Sequence, residues 1–262
     1  MYISQSVGKD GVNLKNDVRT VQVLLNFNTD RLIPFSQLKT DGCIGPATTD
    51  AIALFQKNIQ GLSSPNARID PGSDTLGELR KSVPSHLSES VVRALMPDAS
   101  AAAISRYFQP LVDGMNGNGI DTPVRKAHFL TQVGHESCDF RYSEELADGS
   151  AYEGRADLGN RNRGDGPRFK GRGLIQITGR FNYAAYGLHK GRDFVTPANY
   201  DLIATDPELA VDVACWFWTK HGLNALADAD DVRAVTKVVN GGYIGLPDRQ
   251  ARLDRAKCFL AL

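Results

Sequence analysis

The sequence predicts a mainly α-helical protein: a small three-helix domain, then a larger helical domain with one short β-hairpin region. Three observations carry this. Apolar residues recur at three- and four-residue spacing in segment after segment, as the buried face of a helix requires. Turn dipeptides and capping residues punctuate those segments where helices should begin and end. One segment alone, 174–178, reads as a strand, with Leu174, Ile175 and Ile177 set against Gln176 and Thr178.

In order along the chain, Val18, Val21, Leu24 and Leu25 form the apolar stripe of a short helix within 11–26, with Asn16 or Asp17 placed to cap it. The turns Asp41-Gly42 and Gly45-Pro46 precede a second helix, begun at Thr48 or Thr49, that turns Ile52 and Phe55 to one side. The plan recurs at Asp70-Pro71-Gly72, followed by Ser73 as N-cap and then Thr75, Leu76 and Leu79. This bounds a first domain at 1–81. The polar segment 82–90, SVPSHLSES, reads as a linker, and a second domain follows over 91–262. Within it, two helices over 88–113 break at Pro97, with Asp98 or Ser100 capping the second. Further helices are expected from Pro123 to about Glu136, from Asp206 to Gly222, over 228–239 and at the C-terminus. Trp216, Phe217 and Trp218 lie inside an apolar helix and read as core.

Composition narrows the function classes. With 262 residues, 42% hydrophobic and 23% charged, the chain can bury a real core. Thirty basic residues balance thirty acidic ones, so no global field draws the protein to nucleic acid or an anionic membrane. No apolar run approaches the roughly 20 residues that span a bilayer, and the first residues lack a basic-then-apolar leader pattern. Synthesis in the cytoplasm without a signal peptide is the expectation. Cys43, Cys138, Cys215 and Cys258 are widely spaced and form no zinc or redox signature. His128 and His135 share a helix face, but the HExxH spacing that sets two imidazoles one turn apart is missing. Neither metal nor cofactor is expected, and each histidine is read as packing and hydrogen-bonding in a cleft wall.

The chemistry concentrates in 129–182. Breaking a glycosidic bond takes a carboxylic acid to protonate the leaving oxygen and a carboxylate on the other side to activate water or attack carbon. Glu136 ends an apolar helix, where burial disfavours the charged form, and is the candidate acid. Glu144, Glu145 and Glu153 follow on a more polar segment and are candidates for the partner. Gly171 and Gly173 let backbone approach a sugar closely, and Gln176 and Thr178 should share one face beside them.

Two resemblances extend this reading. The pattern VxxVQxLLN, DGxxGxxTxxAIxxFQ and IDPGSxTLxxL over about 6–81 resembles the peptidoglycan-binding domain of bacterial and phage wall hydrolases. From about Thr122 onward, HES at 135–137, EEL at 144–146, YEGRADLGN at 152–160 and FKGRGLIQITGRFNY at 169–183 resemble chitinase-type glycoside hydrolase family 19, in the branch used by phage endolysins. The resemblance implies a lysozyme-like fold, Glu136 as general acid, and Glu145 as the second carboxylate, with Glu153 as its rival. It implies substrate contacts from His135, Gln176, Thr178, Asn182, Tyr183 and Asn240, and an arginine, Arg255, that braces the carboxylates. Cys138-Asp139 stands where the family has two glycines, which stiffens the turn after the acid.

The expected activity is that of an endolysin: hydrolysis of the β-1,4 bond between N-acetylmuramic acid and N-acetylglucosamine, with inversion and carboxyls roughly 6.5 to 9.5 Å apart. A chitinase, and a wall-binding protein without activity, are the alternatives. The partner is peptidoglycan, with no nucleic acid and no membrane insertion. The protein is expected to be a monomer that reaches the periplasmic wall after release from the cytoplasm.

Overall fold

The structure is a computed structural model that describes residues 2–197 and 199–260. It is mainly helical, as predicted. Two compact units divide the chain: Met1–Pro97 together with Gln250–Leu262, and Asp98–Arg249.

In the first unit, α1 (Lys15–Asn26), α2 (Pro46–Asn58) and α3 (Asp74–Arg80) surround Val18, Val21, Leu24, Ile52, Phe55 and Leu79, all removed from solvent. A two-residue antiparallel pair, β1 (Val7–Gly8) with β2 (Arg68–Ile69), matches Val7 to Ile69. Ser73 caps α3 by accepting the Leu76 amide. The other two starts differ from expectation. Leu14 is the N-cap of α1, and Asp17 lies within its first turn, where its carboxylate accepts the Ser4 and Gln5 amides and so ties down the N-terminal segment. Helix α2 begins earlier, because Pro46 occupies its first position, where a missing N–H costs nothing.

The expected linker 82–90 and the start of the expected second domain group with this unit. Helix α4 (Glu89–Leu95), capped by Ser88, buries Val91, Val92 and Leu95. The C-terminal residues join it as well: Phe259 packs 6.0 Å from Phe27 between ring centroids, and Arg80 donates to the Cys258 carbonyl.

The second unit holds α5 (Ala101–Gly117), α6 (Pro123–Glu136), α7 (Asp165–Arg168), α8 (Arg180–Lys190), α9 (Leu202–Thr205), α10 (Pro207–Lys220), α11 (Leu223–Asp228) and α12 (Val232–Asn240). The last helix, α13 (Leu246–Phe259), begins in it. Ser100, Thr122 and Asp206 cap α5, α6 and α10 as their sequences suggest. Trp218 and Trp216 are buried, and Trp218 meets Phe129 edge-on at 5.4 Å. The helix expected over 228–239 starts later, at Val232: α11 has ended at Asp228, Asp230 takes a left-handed conformation and Asp231 caps α12.

Segment 174–178 is not a strand. Arg172 and Ile177 exchange reciprocal backbone hydrogen bonds of 3.2 and 3.0 Å, closing a tight loop over 173–176 in which Gln176 is left-handed at φ 58°. The polar side chains still point outward: Leu174, Ile175 and Ile177 are buried, whereas Gln176 and Thr178 are partly exposed.

Candidate active site

Helix α6 carries Gln132, His135 and Glu136 to its C-terminal end. Thr122 and Pro123 start the helix, and Phe129, Leu130 and Val133 anchor it in the core. Glu136, expected to be buried at the end of an apolar helix, is part-exposed and paired with a cation. Its Oε1 accepts a hydrogen bond from the guanidinium of Arg249, which also donates to Gln132 Oε1 and to the Ile244 carbonyl. Arg249 is fully buried, and the Glu136 side chain remains 18% exposed. The carboxyl therefore opens to solvent on one side and is fixed by a buried cation on the other.

His135 lies beside it. Its Nδ1 pairs with Asp248 at 2.7 Å, and Gly245 rests on the ring so closely that a Cβ there would come within 2.3 Å of Cε1. Only glycine, at φ 74°, lets the 241–245 loop lie against the imidazole. Asn240 ends α12 at the base of that loop and accepts the Ile244 amide. His135, Asn240 and Glu136 are thus brought together, through Arg249 and Asp248 at the start of α13.

After Glu136 the chain turns abruptly. Cys138, Asp139 and Phe140 have φ of 49°, 57° and 62°, three successive non-glycine residues in left-handed backbone. Two of them stand where glycines were expected, and each such residue costs about 1–2 kcal/mol. The turn is held from within. Ser137 Oγ donates to the Val133 carbonyl and accepts the Phe140 amide, Asp139 N–H donates to the Gly134 carbonyl, and Phe140 is buried against Tyr107. The buried Asp139 carboxylate accepts the Asp98 amide at 3.0 Å.

This turn leads to Glu144 and Glu145. Glu144 is occupied as a salt-bridge partner of Arg172 at 2.9 Å and of Lys170. Glu145 accepts the Tyr152 hydroxyl at 3.0 Å and the Gly171 amide at 3.0 Å, and its own amide donates to the Gly171 carbonyl. The space over Gly171 is bounded by Glu145 Oε2 and Gln176 Oε1, so these two polar side chains face one another across the glycine. The Tyr152 hydroxyl is pushed up from its ordinary range by burial and by its bond to the Glu145 carboxylate.

The remaining candidates have other surroundings. Glu153 accepts the Gly164 amide at 2.6 Å and the Gly166 amide at 2.8 Å, and these bonds hold its carboxyl below the usual range. Tyr183 is a core residue: fully buried, its hydroxyl donates to the Lys170 carbonyl and accepts from Arg172, and burial raises its ionisation far above normal. Thr178 donates to the Gln176 carbonyl and Asn182 to the Thr178 carbonyl, so both close the entry into α8. Arg255 belongs to the other compact unit, and the arginine that meets Glu136 is Arg249. Arginines recur at 249, 252 and 255, one turn apart on the last helix, and spacing alone does not choose among them. Arg249, Gln132 and Asp248 were missed for lack of any motif. Among the described residues no group of three His, Cys, Asp or Glu is placed to hold a metal ion.

A Haemophilus influenzae protein described as a glycosyl hydrolase family 19 domain-containing protein is 30% identical over 201 residues, spanning 65% of this chain and 94% of the relative. The chain belongs to glycoside hydrolase family 19. The family's own profile, described as chitinase class I, matches residues 125–237 of this hydrolase. An acidic 27 kDa endochitinase of Solanum lycopersicum is 33% identical over 166 residues, 55% of the hydrolase and 63% of the plant protein. Chitinase C of Streptomyces griseus shares the fold with a TM-score of 0.54 at 23% identity, over 66% of the hydrolase and 92% of chitinase C. The family 19 hydrolase is therefore a chitinase-like glycosidase.

Proposed function

We propose that this family 19 hydrolase is an endolysin-type muramidase that cuts the β-1,4 bond between N-acetylmuramic acid and N-acetylglucosamine with inversion. The observation that carries the chemistry is the contrast between two fixed carboxyls nine residues apart. Glu136 stands against Arg249, and Glu145 is held by Tyr152 and the Gly171 amide beside Gln176. Glu136 protonates the leaving oxygen. The carboxylate left behind is met at once by the Arg249 guanidinium, which stabilises the charge that appears as the bond breaks. Glu145 takes a proton from the attacking water, with Gln176 Oε1 placed to orient it, and Asn240 and His135 line the acid's side.

The substrate assignment is supported by the N-terminal unit, whose turn-and-helix segments resemble a wall-binding domain. That unit anchors a monomer to peptidoglycan after its release from the cytoplasm. A chitinase is the second reading, favoured by the likeness to plant endochitinases.

Mass spectrometry of fragments released from defined peptidoglycan separates the two. Products with N-acetylmuramic acid at the reducing end are expected. Release of N-acetylglucosamine ends, or activity on chitin oligomers alone, overturns the muramidase reading. Glu136→Gln should abolish release while keeping its contact to Arg249.

A further inference from the structure

We propose that the exposed face of α12, with Tyr243 beyond it, is a subsite for the free carboxylates of peptide stems on the glycan; this rests on the peptidoglycan reading above. Arg233, Lys237 and Asn240 follow at i, i+4 and i+7, so they share one face, opposite the buried Val235 and Thr236. Two like charges at i, i+4 disfavour a helix, so this pairing does not serve the stability of α12. Both cations gather over the Tyr243 ring, Arg233 Cζ at 4.0 Å and Lys237 Nζ at 5.8 Å from its centroid, while the ring stays 41% exposed.

Among the described residues, neither cation has a carboxylate within 4 Å. The acids at the head of the helix are engaged, Asp230 with His128 and Asp231 with the Ala234 amide. The face leads directly into the loop that lies on His135 and is tied through Arg249 to Glu136. Exposed Ile244, 76% accessible, continues the surface beside Tyr243.

The chemistry that fits is an anion attached to a sugar. An aromatic ring packs against a pyranose or peptide plane, and a guanidinium and an ammonium together receive carboxylates. Chitin is neutral and offers nothing to the cations; peptidoglycan stems offer free carboxylates beside the scissile strand. The subsite therefore discriminates between the two polymers at the acid's own side of the cleft.

The test compares native sacculi with sacculi whose carboxyls have been amidated by carbodiimide and glycinamide. The full chain is used as parent, as Arg233→Gln/Lys237→Gln and as the charge-keeping Arg233→Lys/Lys237→Arg. The parent should lose about tenfold in kcat/KM on amidation, an effect of a few exposed charges that added salt erodes. The glutamine variant should start about tenfold lower on native sacculi, equal the parent on amidated ones and keep its Tm, and the charge-keeping variant should behave as the parent. Equal parental rates on both sacculi overturn the subsite and leave the muramidase reading standing. A glutamine variant that falls equally on both has a structural fault and also overturns it. A parent that cleaves neither sacculus but cleaves chitin oligomers overturns the peptidoglycan reading itself.

Discussion

Two segments between α6 and α7 make left-handed turns by opposite means. The loop carrying Glu153 places a glycine at each such position, Gly149, Gly154, Gly159 and Gly164. The turn that leads to Glu145 uses Cys138, Asp139 and Phe140. The first segment is relaxed in its backbone and closed by polar ties: Glu153 to two amides, and the fully buried Asp165 to Arg180 at 2.5 Å. The second is strained in its backbone and held by packing. The carboxyl that follows it, Glu145, accepts one side-chain hydroxyl, from Tyr152, and one backbone amide, from Gly171, beside Gln176. Glu153 has both oxygens committed to main chain, and it reads as a brace for the loop. The two carboxylates differ in the groups that hold them, and that difference predicts reaction at Glu145 and support at Glu153.

The largest test of this contrast is kinetic. Glu145→Gln should lower kcat by about 10²- to 10⁴-fold, as loss of a general base does. Glu153→Gln should leave kcat within about threefold and lower Tm; the reverse order would exchange the two roles. Next, Asp165→Ala should cost about 3 kcal/mol by denaturant unfolding, the low end for breaking a buried pair, since the Arg180 side chain stays 27% exposed.

The same loop should be the acid-labile part. The Arg180 guanidinium holds the Asp165 carboxyl below the usual range, and the Gly164 and Gly166 amides do so for Glu153. Folded values depressed below the unfolded ones, about 4, give stability that is complete above that pH and lost as pH falls through the folded values. Limited proteolysis at pH 3 should therefore cut within 150–168 sooner than at pH 6, and Asp165→Asn should narrow that gap.

The smallest effects lie in the strained turn. Cys138→Gly should raise stability by about 1 kcal/mol, because the thiol is exposed and the φ of 49° suits glycine. Asp139→Gly should lower it, because relief at the backbone is outweighed by loss of the buried acceptor for the Asp98 amide. A stabilising Asp139→Gly would show that strain dominates both positions.

Much of this was legible in the sequence because it is local. Ser73, Ser100, Thr122 and Asp206 act as caps within three residues of themselves, and the buried stripes of α1 and α2 follow helical spacing. Glu136 and Glu145 were named as candidates on a resemblance, and their structural partners were not legible. Arg249 meets Glu136 across 113 residues and Gly171 meets Glu145 across 26, and no periodicity encodes such pairings. Alternation over 174–178 gave the right outward side chains with the wrong backbone, because a left-handed Gln176 in a tight loop can imitate a strand's alternation. Tyr183 misled for a related reason: a tyrosine in a polar motif can satisfy its hydroxyl inside the core, here on Lys170 and Arg172.

Helix α13 has a consequence for protein engineering. Arg249, which donates to Glu136, is the last residue of one compact unit, and Gln250 is the first to return to the other. The N-terminal unit is thus discontinuous in the chain, completed by a segment that contributes Phe259 against Phe27. A fusion that transplants residues 1–90 onto another enzyme leaves that aromatic partner behind and uncovers Phe27. A chimera of this hydrolase has to be exchanged as an insertion with two junctions, one near Pro97 and one just after Arg249.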